Sequence, residues 1–240
     1  MHNQSTLRVE NLHVVRANKP VIHGISFIVK QGEITTLLGA NGAGKSSTVM
    51  ALAGAIPCAS GQVLLDQTRL DGLSADRIRH HGIALVPEGH RVLGQLNVDD
   101  NLKVAALASS ASATQTQLAQ VYDIFPELAE RKSQQAGDLS GGQKQMLAMG
   151  QAFMAKPLFM IVDELSLGLA PAVVKRLAQA LQTAAQSGIG VLMIEQFAQL
   201  ALELATHALV LERGTLVFDG SAAELKRRPD ILHGAYLAGG

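Results

Sequence analysis

The amino-acid sequence predicts an α/β fold built on a mostly parallel sheet. Short apolar runs rich in β-branched residues alternate with helix-like segments along the 240-residue chain. Several of those runs are apolar at every position, as strands covered on both faces are. Residues from about 89 to 155 break this alternation and read as a helical insertion between strands.

Ile25-Ser26-Phe27-Ile28-Val29 alternates weakly and reads as a strand. Residues 34–38 form a strand that runs into a glycine-rich turn, and 47–53 suit a helix. Residues 83–86, 158–162 and 191–194 are the short, uniformly apolar strands. Residues 209–211 and 215–218, joined through Arg213-Gly214, predict a hairpin. Within the insertion, Leu118, Val121, Ile124, Phe125 and Leu128 recur at helical spacing, and Pro126 forces a break. Residues 144–155 predict a further helix, with Met146, Leu147, Phe153 and Met154 near one face. There is no internal repeat, low-complexity tract or heptad array.

With 48% apolar residues, the chain can bury one large core, or a core plus a modest subdomain. Its 20 basic and 20 acidic residues cancel, so no global field recruits nucleic acid. The longest basic run, Lys226-Arg227-Arg228, reads as a solvated helix end. The only cysteine, Cys58, reads as a small buried or half-buried residue of a reducing compartment. Residues 1–11 lack the apolar core of a signal peptide. No apolar run approaches the roughly 20 residues that span a bilayer, so any membrane connection is expected through a partner. His80, His81 and His90 fall in or near loops and His207 before a strand, without the spacing of metal ligands.

Gly39-Ala40-Asn41-Gly42-Ala43-Gly44-Lys45-Ser46 fits G-x-x-x-x-G-K-[ST] without a mismatch. Glycines let the backbone turn tightly, so successive N–H groups aim at phosphate oxygens. The helix that follows presents its positive end to the anion. Lys45 is expected to reach the β- and γ-phosphates and Ser46 to ligate Mg²⁺. A second signal is the acid pair Asp163-Glu164 at the end of an apolar strand. Two carboxylates there are costly without charged partners, and open α/β sheets bind ligands at that edge. Asp163 is expected on Mg²⁺, directly or through water, and Glu164 as general base on the attacking water.

Between these motifs lies Leu139-Ser140-Gly141-Gly142-Gln143. Ser-Gly-Gly reads locally as a turn that caps a helix. It also offers a hydroxyl, free N–H groups and a dipole end to an anion. One chain already has its own phosphate loop, so a second anion site suggests a nucleotide shared with another copy.

In order and spacing these motifs resemble those of the ABC (ATP-binding cassette) ATPases over nearly the whole chain. Gly39–Ser46 stands as Walker A, residues 139–143 as the signature, and 158–163 as Walker B with Glu164 next. The resemblance implies a P-loop NTPase (RecA-like) core with a helical signature subdomain and an N-terminal antiparallel β portion. It implies one ABC ATPase domain over 1–240, with about 1–88 and 156–240 as nucleotide-binding core and about 89–155 as helical subdomain. It extends the ATP contacts from Gly39 through Ser47. Two such subunits sit head to tail in that family, and Ser140, Gly141 and Gly142 would then contact the γ-phosphate bound by the partner.

Local departures narrow the resemblance. Glu88 stands where most members have glutamine, Gln196 where most have a switch histidine, and Ala170 where most have aspartate. With Ala235-Tyr236-Leu237, this combination is similar to the smaller ATPase subunit of branched-chain amino acid importers. Those importers resemble urea and amide importers in makeup, so a motor for importing urea or short amides is an alternative reading. Such a subunit is cytoplasmic, peripheral on the inner membrane face, bound to transmembrane permeases and served indirectly by a solute-binding protein. The coupling surface is expected near residues 88–101. Glu88 is expected to ligate Mg²⁺ or hold a metal-bound water. Gln196 is expected to donate to the γ-phosphate without carrying a proton, which leaves the base role to Glu164. Arg16 aligns with the aromatic that stacks on adenine, and its guanidinium plane could stack there instead. Leu165 replaces a common proline. Two other readings stay open. One is a soluble, non-transport ABC ATPase, although coiled coils, tandem cassettes and zinc modules are missing. The other is a weakly active partner in a heterodimer, against which Lys45, Asp163 and Glu164 argue.

Overall fold

The computed structural model describes residues 4–89, 91–106 and 110–237. Its elements are β1 (Thr6–Arg16), β2 (Lys19–Lys30), β3 (Ile34–Leu38), α1 (Lys45–Leu52), β4 (Ser60–Leu65), β5 (Thr68–Arg69), α2 (Ala75–His80) and β6 (Ile83–Val86). The helices α3 (Val98–Ala105), α4 (Ala111–Ile124), α5 (Pro126–Ala129) and α6 (Gly141–Met154) follow, with a 3₁₀ turn at Ala136–Asp138. The chain closes with β7 (Phe159–Asp163), α7 (Pro171–Gln186), β8 (Gly190–Ile194), α8 (Ala198–Leu204), β9 (His207–Glu212), β10 (Thr215–Ser221), α9 (Ala222–Lys226) and α10 (Pro229–Leu237).

The larger sheet has the order β10-β9-β3-β8-β7-β6. Its strands run parallel except β10, which turns back on β9 as the predicted hairpin. Every residue of β3, β7 and β8 is buried, as in strands covered on both faces. Alternate side chains serve opposite faces. Met160 and Val162 join the core beneath the helices, while Phe159 and Ile161 join the core shared with the second sheet. That sheet, β2-β1-β4-β5, is antiparallel throughout, in line with the expected N-terminal β portion. Its β1–β2 hairpin turns at Ala17 and Asn18, both at positive φ, 47° and 62°, as a two-residue type I′ turn demands.

Pro126 ends α4 at Ile124 and opens α5, because its ring cannot continue the preceding helix. Leu118, Val121, Phe125 and Leu128 are all buried in one cluster with α6. Gly150 lets α6 approach closely. A Cβ there would lie 2.9 Å from Leu102 and 3.0 Å from Val121.

Some details differ from the sequence reading. β7 starts at Phe159 and includes Asp163, and Leu158, 39% exposed, lies outside it. The helix expected from 144 begins at Gly141, because Ser140 caps it. His207 opens β9, with Nε2 2.6 Å from Asp219 Oδ1 on β10. Cys58 is half-buried, and burial pushes its thiol pKa up. Residues 226–228 are exposed at the end of α9. His90 lies outside the described residues. No helix among the described residues is long and apolar enough to cross a membrane.

Strand order positions the site. Leu37 and Asp163 both pair with Ile194, so the ends of β3, β8 and β7 lie side by side. The loops after these three strands therefore meet at the carboxyl edge of the sheet, where open α/β folds bind ligands.

Candidate active site

The glycine-rich loop links β3 to α1. Gly42 and Gly44 have φ of +81° and +111°, outside the range that L side chains readily adopt. A Cβ on Gly44 would also lie 2.6 Å from Ile22 Cδ1 and 3.0 Å from the Val21 carbonyl. Gly44 is the N-cap of α1 and offers no side chain, and the first turn holds no acid. The first N–H groups of α1 thus keep free both their hydrogen-bonding capacity and the positive end of the helix dipole. Lys45 is buried and folds back over this loop, donating to the carbonyls of Gly39 at 2.8 Å and Ala40 at 3.1 Å. Burial lowers its pKa, while Glu164, Asp163 and Glu195 act in the opposite sense. Ser46 is exposed and Ser47 buried on α1.

The acids at the end of β7 face this lysine. Burial raises the Asp163 pKa, Glu88 adds to the rise, and Lys45 opposes it. Glu164 has φ +55°, a strained value for a residue with a side chain. Its pKa is pushed up to about 7, first by burial and then by the Glu195 carboxylate, against the pull of Lys45. A carboxylate titrating there can both hold and release a proton near neutral pH. Asp163 Oδ1 and Glu164 Oε2 are buried and find no hydrogen-bond partner among the described residues. Buried oxygens left in that state suit a cation or its water shell. The donor-rich loop, the lysine and these oxygens together fit an Mg²⁺-bound nucleotide.

Glu88 is exposed after β6 but acts electrostatically on both acids, so it belongs to the cluster. Gln196 follows β8, half-buried, and its backbone carbonyl accepts from the Tyr236 hydroxyl at 2.8 Å. The Gly39 backbone also acts on that hydroxyl, lowering its pKa against the rise caused by burial. The loop, Lys45, Asp163, Glu164, Glu88 and Gln196 are therefore brought to one sheet edge.

Arg16 stands exposed at the tip of the β1–β2 hairpin. Ser140 and Gly141 are exposed at the start of α6. There Ser140 Oγ accepts from Gln143 N at 3.3 Å, and Gln143 Oε1 accepts from Ser140 N at 3.0 Å. This capping box satisfies two helix-end donors within the chain. Gly142 is buried against α7, where a Cβ would lie 2.8 Å from Val173.

A family profile described as "ABC transporter" matches residues 22–166. The chain belongs to the ABC transporter family. An ABC protein of Pseudomonas aeruginosa, the high-affinity branched-chain amino acid transport ATP-binding protein BraG, is 42% identical over 218 residues, covering 91% of this chain and 93% of its own. LivF of Archaeoglobus fulgidus, a probable branched-chain amino acid transport ATP-binding protein, is 31% identical, with coverage of 91% and 93%. The solved ATP-binding subunit of an ABC transporter matches at TM-score 0.82 with 27% identity, covering 96% of this chain and 95% of its own. A nucleotide-free ABC cassette at 21% identity shares the fold, with TM-score 0.85 and coverage of 94% and 95%. As an ABC cassette, the chain is an ATP-binding ATPase subunit, and the α/β P-loop fold read from its sequence holds.

The sequence reading missed Glu195 and Ser166. Glu195 is fully buried and accepts from Ser166 N and from Ser166 Oγ, each at 3.0 Å. The signal was present, since Glu195 ends an apolar strand just as the acid pair does.

Proposed function

We propose that this chain drives a membrane importer for branched-chain or related hydrophobic amino acids by hydrolysing ATP. The observation that carries hydrolysis is the carboxyl edge of the sheet. Uncapped N–H groups of α1, Lys45, two buried unpaired carboxylate oxygens and a carboxylate poised near neutrality converge there. The loop Gly39–Ser47 holds the phosphates, with Lys45 released from its loop carbonyls onto them. Ser46 and Asp163, with Glu88 alongside, would hold Mg²⁺, which when bound supplies charge neutralisation at the phosphates. Glu164 takes the proton of the attacking water, and Gln196 orients the γ-phosphate as a donor. Arg16 stacks on the adenine. Ser140 to Gly142 complete the site of a second ATPase subunit.

The amino-acid specificity rests on the likeness to the Pseudomonas relative. Permease docking is supported by a groove of about 350 Å³ between core and helices, lined by Leu85, Pro87, Leu93, Asn101 and Val104. Leu93 and Val104 are 48% and 63% exposed, which suits a short apolar segment of a membrane-embedded partner. The subunit would then lie on the inner face of the membrane, with residues 89–155 as the helical part that carries the groove's outer wall.

Glu164→Gln tests the catalytic reading. Hydrolysis by the assembled transporter should fall roughly 10²–10⁴-fold while ATP binding persists. Turnover at the wild-type rate would remove Glu164 from the mechanism. Co-purification of this chain with membrane-spanning subunits, and ATPase stimulation by leucine-loaded binding protein, test the transport reading.

A further inference from the structure

Glu195 is a fully buried carboxylate that the chemistry above does not use. Burying a charged carboxylate costs several kcal/mol unless donors surround it. Here they do. Ser166 donates its backbone N–H to Oε1 and its hydroxyl to Oε2, both at 3.0 Å. The backbone groups of Gln196 and Phe197 also favour its ionised form, against the opposing effect of burial. One side chain after β8 thus holds the loop after β7.

The consequence lies just upstream in that loop. Glu164 occupies a left-handed conformation, which persists in a side-chain-bearing residue only where its surroundings over-determine it. Two anchors flank it. Its own N–H donates to the Ile194 carbonyl at 3.0 Å, and Ser166 is held by Glu195. Leu165, between them, is fully buried. Residues 164–166 are therefore pinned to residues 194–195 at both ends, and Gln196 is the next residue along.

We propose that Glu195 is a positioning residue, which through its double hydrogen bond to Ser166 fixes the Glu164 carboxylate against Gln196 and links the base to the phosphate sensor. The inference rests on the reading of Glu164 as base. A carboxylate suits the place better than an amide. Ser166 N and the backbone N–H groups of Gln196 and Phe197 are obligate donors, and an amide would turn its own NH₂ toward some of them.

Four variants of the full chain, assembled with its permeases, test this: Glu195→Gln, Glu195→Ala, Ser166→Ala and Glu164→Gln as reference. kcat should fall about tenfold or more in Glu195→Ala and several-fold in Glu195→Gln and Ser166→Ala, with KM for ATP and equilibrium ATP binding within about twofold of wild type. Glu195→Gln combined with Ser166→Ala should cost less than the product of the single effects, because both break the same link. Unchanged kcat in Glu195→Gln and Ser166→Ala would overturn the proposal, as would losses confined to KM or strictly multiplicative losses. Ser166→Ala keeps the backbone bond and lies in a half-buried loop, so it still tests the link where Glu195→Ala fails to fold. Loss in Glu164→Gln without loss in the other three sinks only this inference. Wild-type turnover in Glu164→Gln sinks the base reading itself.

Discussion

Two helices of this protein begin at glycine-rich motifs, and they satisfy their ends in opposite ways. α1 starts at Gly44 with no capping side chain and no acid in its first turn. α6 starts at Ser140 with a complete capping box, Ser140 and Gln143 each accepting from the other's backbone. The glycines differ too. Gly44 takes a left-handed φ and has no room for a Cβ, whereas Gly142 is helical and makes space for Val173 of the neighbouring α7. The first helix end is an unfinished structure, stable only at some cost, and it lies beside a buried lysine and two acids. The second is a finished one, exposed, with its polar groups already engaged. Under the proposed function, the contrast would separate a site that binds a nucleotide by itself from a surface that meets one only when another chain brings it.

Glu164→Gln, with its expected loss of roughly 10²–10⁴ in rate, marks the upper end of the scale for the α1 side. Gly44→Ala acts on the same helix end through the backbone. Left-handed strain plus contact with Ile22 should cost about 1–3 kcal/mol, a fall in Tm of roughly 2–10 °C, with loss of ATP binding. Unchanged binding and Tm would mean that the loop tolerates a side chain and that α1 is no more special than α6. Ser140→Ala should cost about 1 kcal/mol through the lost cap, read as a small drop in Tm. Hydrolysis by the assembly should fall by more than that drop explains. If only Tm moved, the α6 end would be a cap and nothing else.

A separate effect concerns pH. Burial and the Glu195 carboxylate push the Glu164 pKa up to about 7, against 4.5 for an unperturbed glutamate. Between those values the folded chain keeps a proton that the unfolded chain has released, so this group's stability contribution is lost as pH rises from about 4.5 toward 7. Asp163 and Glu195, also raised, act in the same sense. Glu164→Gln should therefore be more stable than wild type at pH 8, and the gap in Tm should close toward pH 5. A gap independent of pH would contradict the shared burial of these acids.

Much of this was legible in the sequence because it depended on local pattern. The strand read at 34–38 and the uniformly apolar run at 83–86 became β3 and β6 with the predicted bounds, and Arg213-Gly214 turned a hairpin. Pro126 ended a helix where its ring had to. What stayed hidden depended on pairing across the chain. β4 is a short, half-exposed strand that exists because β1 offers it an edge, and the two-residue, exposed β5 in turn pairs with β4. Glu195 looked like a mere neighbour of Gln196 until the strand order set it beside Ser166, 29 residues away. The tether from Tyr236 to the Gln196 carbonyl likewise needs the C-terminal helix folded back over the sheet edge.

The two helix ends are separated most directly by equilibrium ATP binding to the isolated chain, with Lys45→Ala and Ser140→Ala measured side by side. On the proposed reading Lys45 would make charge-assisted hydrogen bonds to the phosphates, worth roughly 1.5–3 kcal/mol, so Lys45→Ala should weaken binding by about tenfold or more. Ser140→Ala should bind within about twofold of wild type, because its partner's nucleotide is not in the experiment. Equal losses in the two variants would mean that one chain's α6 serves its own nucleotide, and the division between the two helix ends would fail.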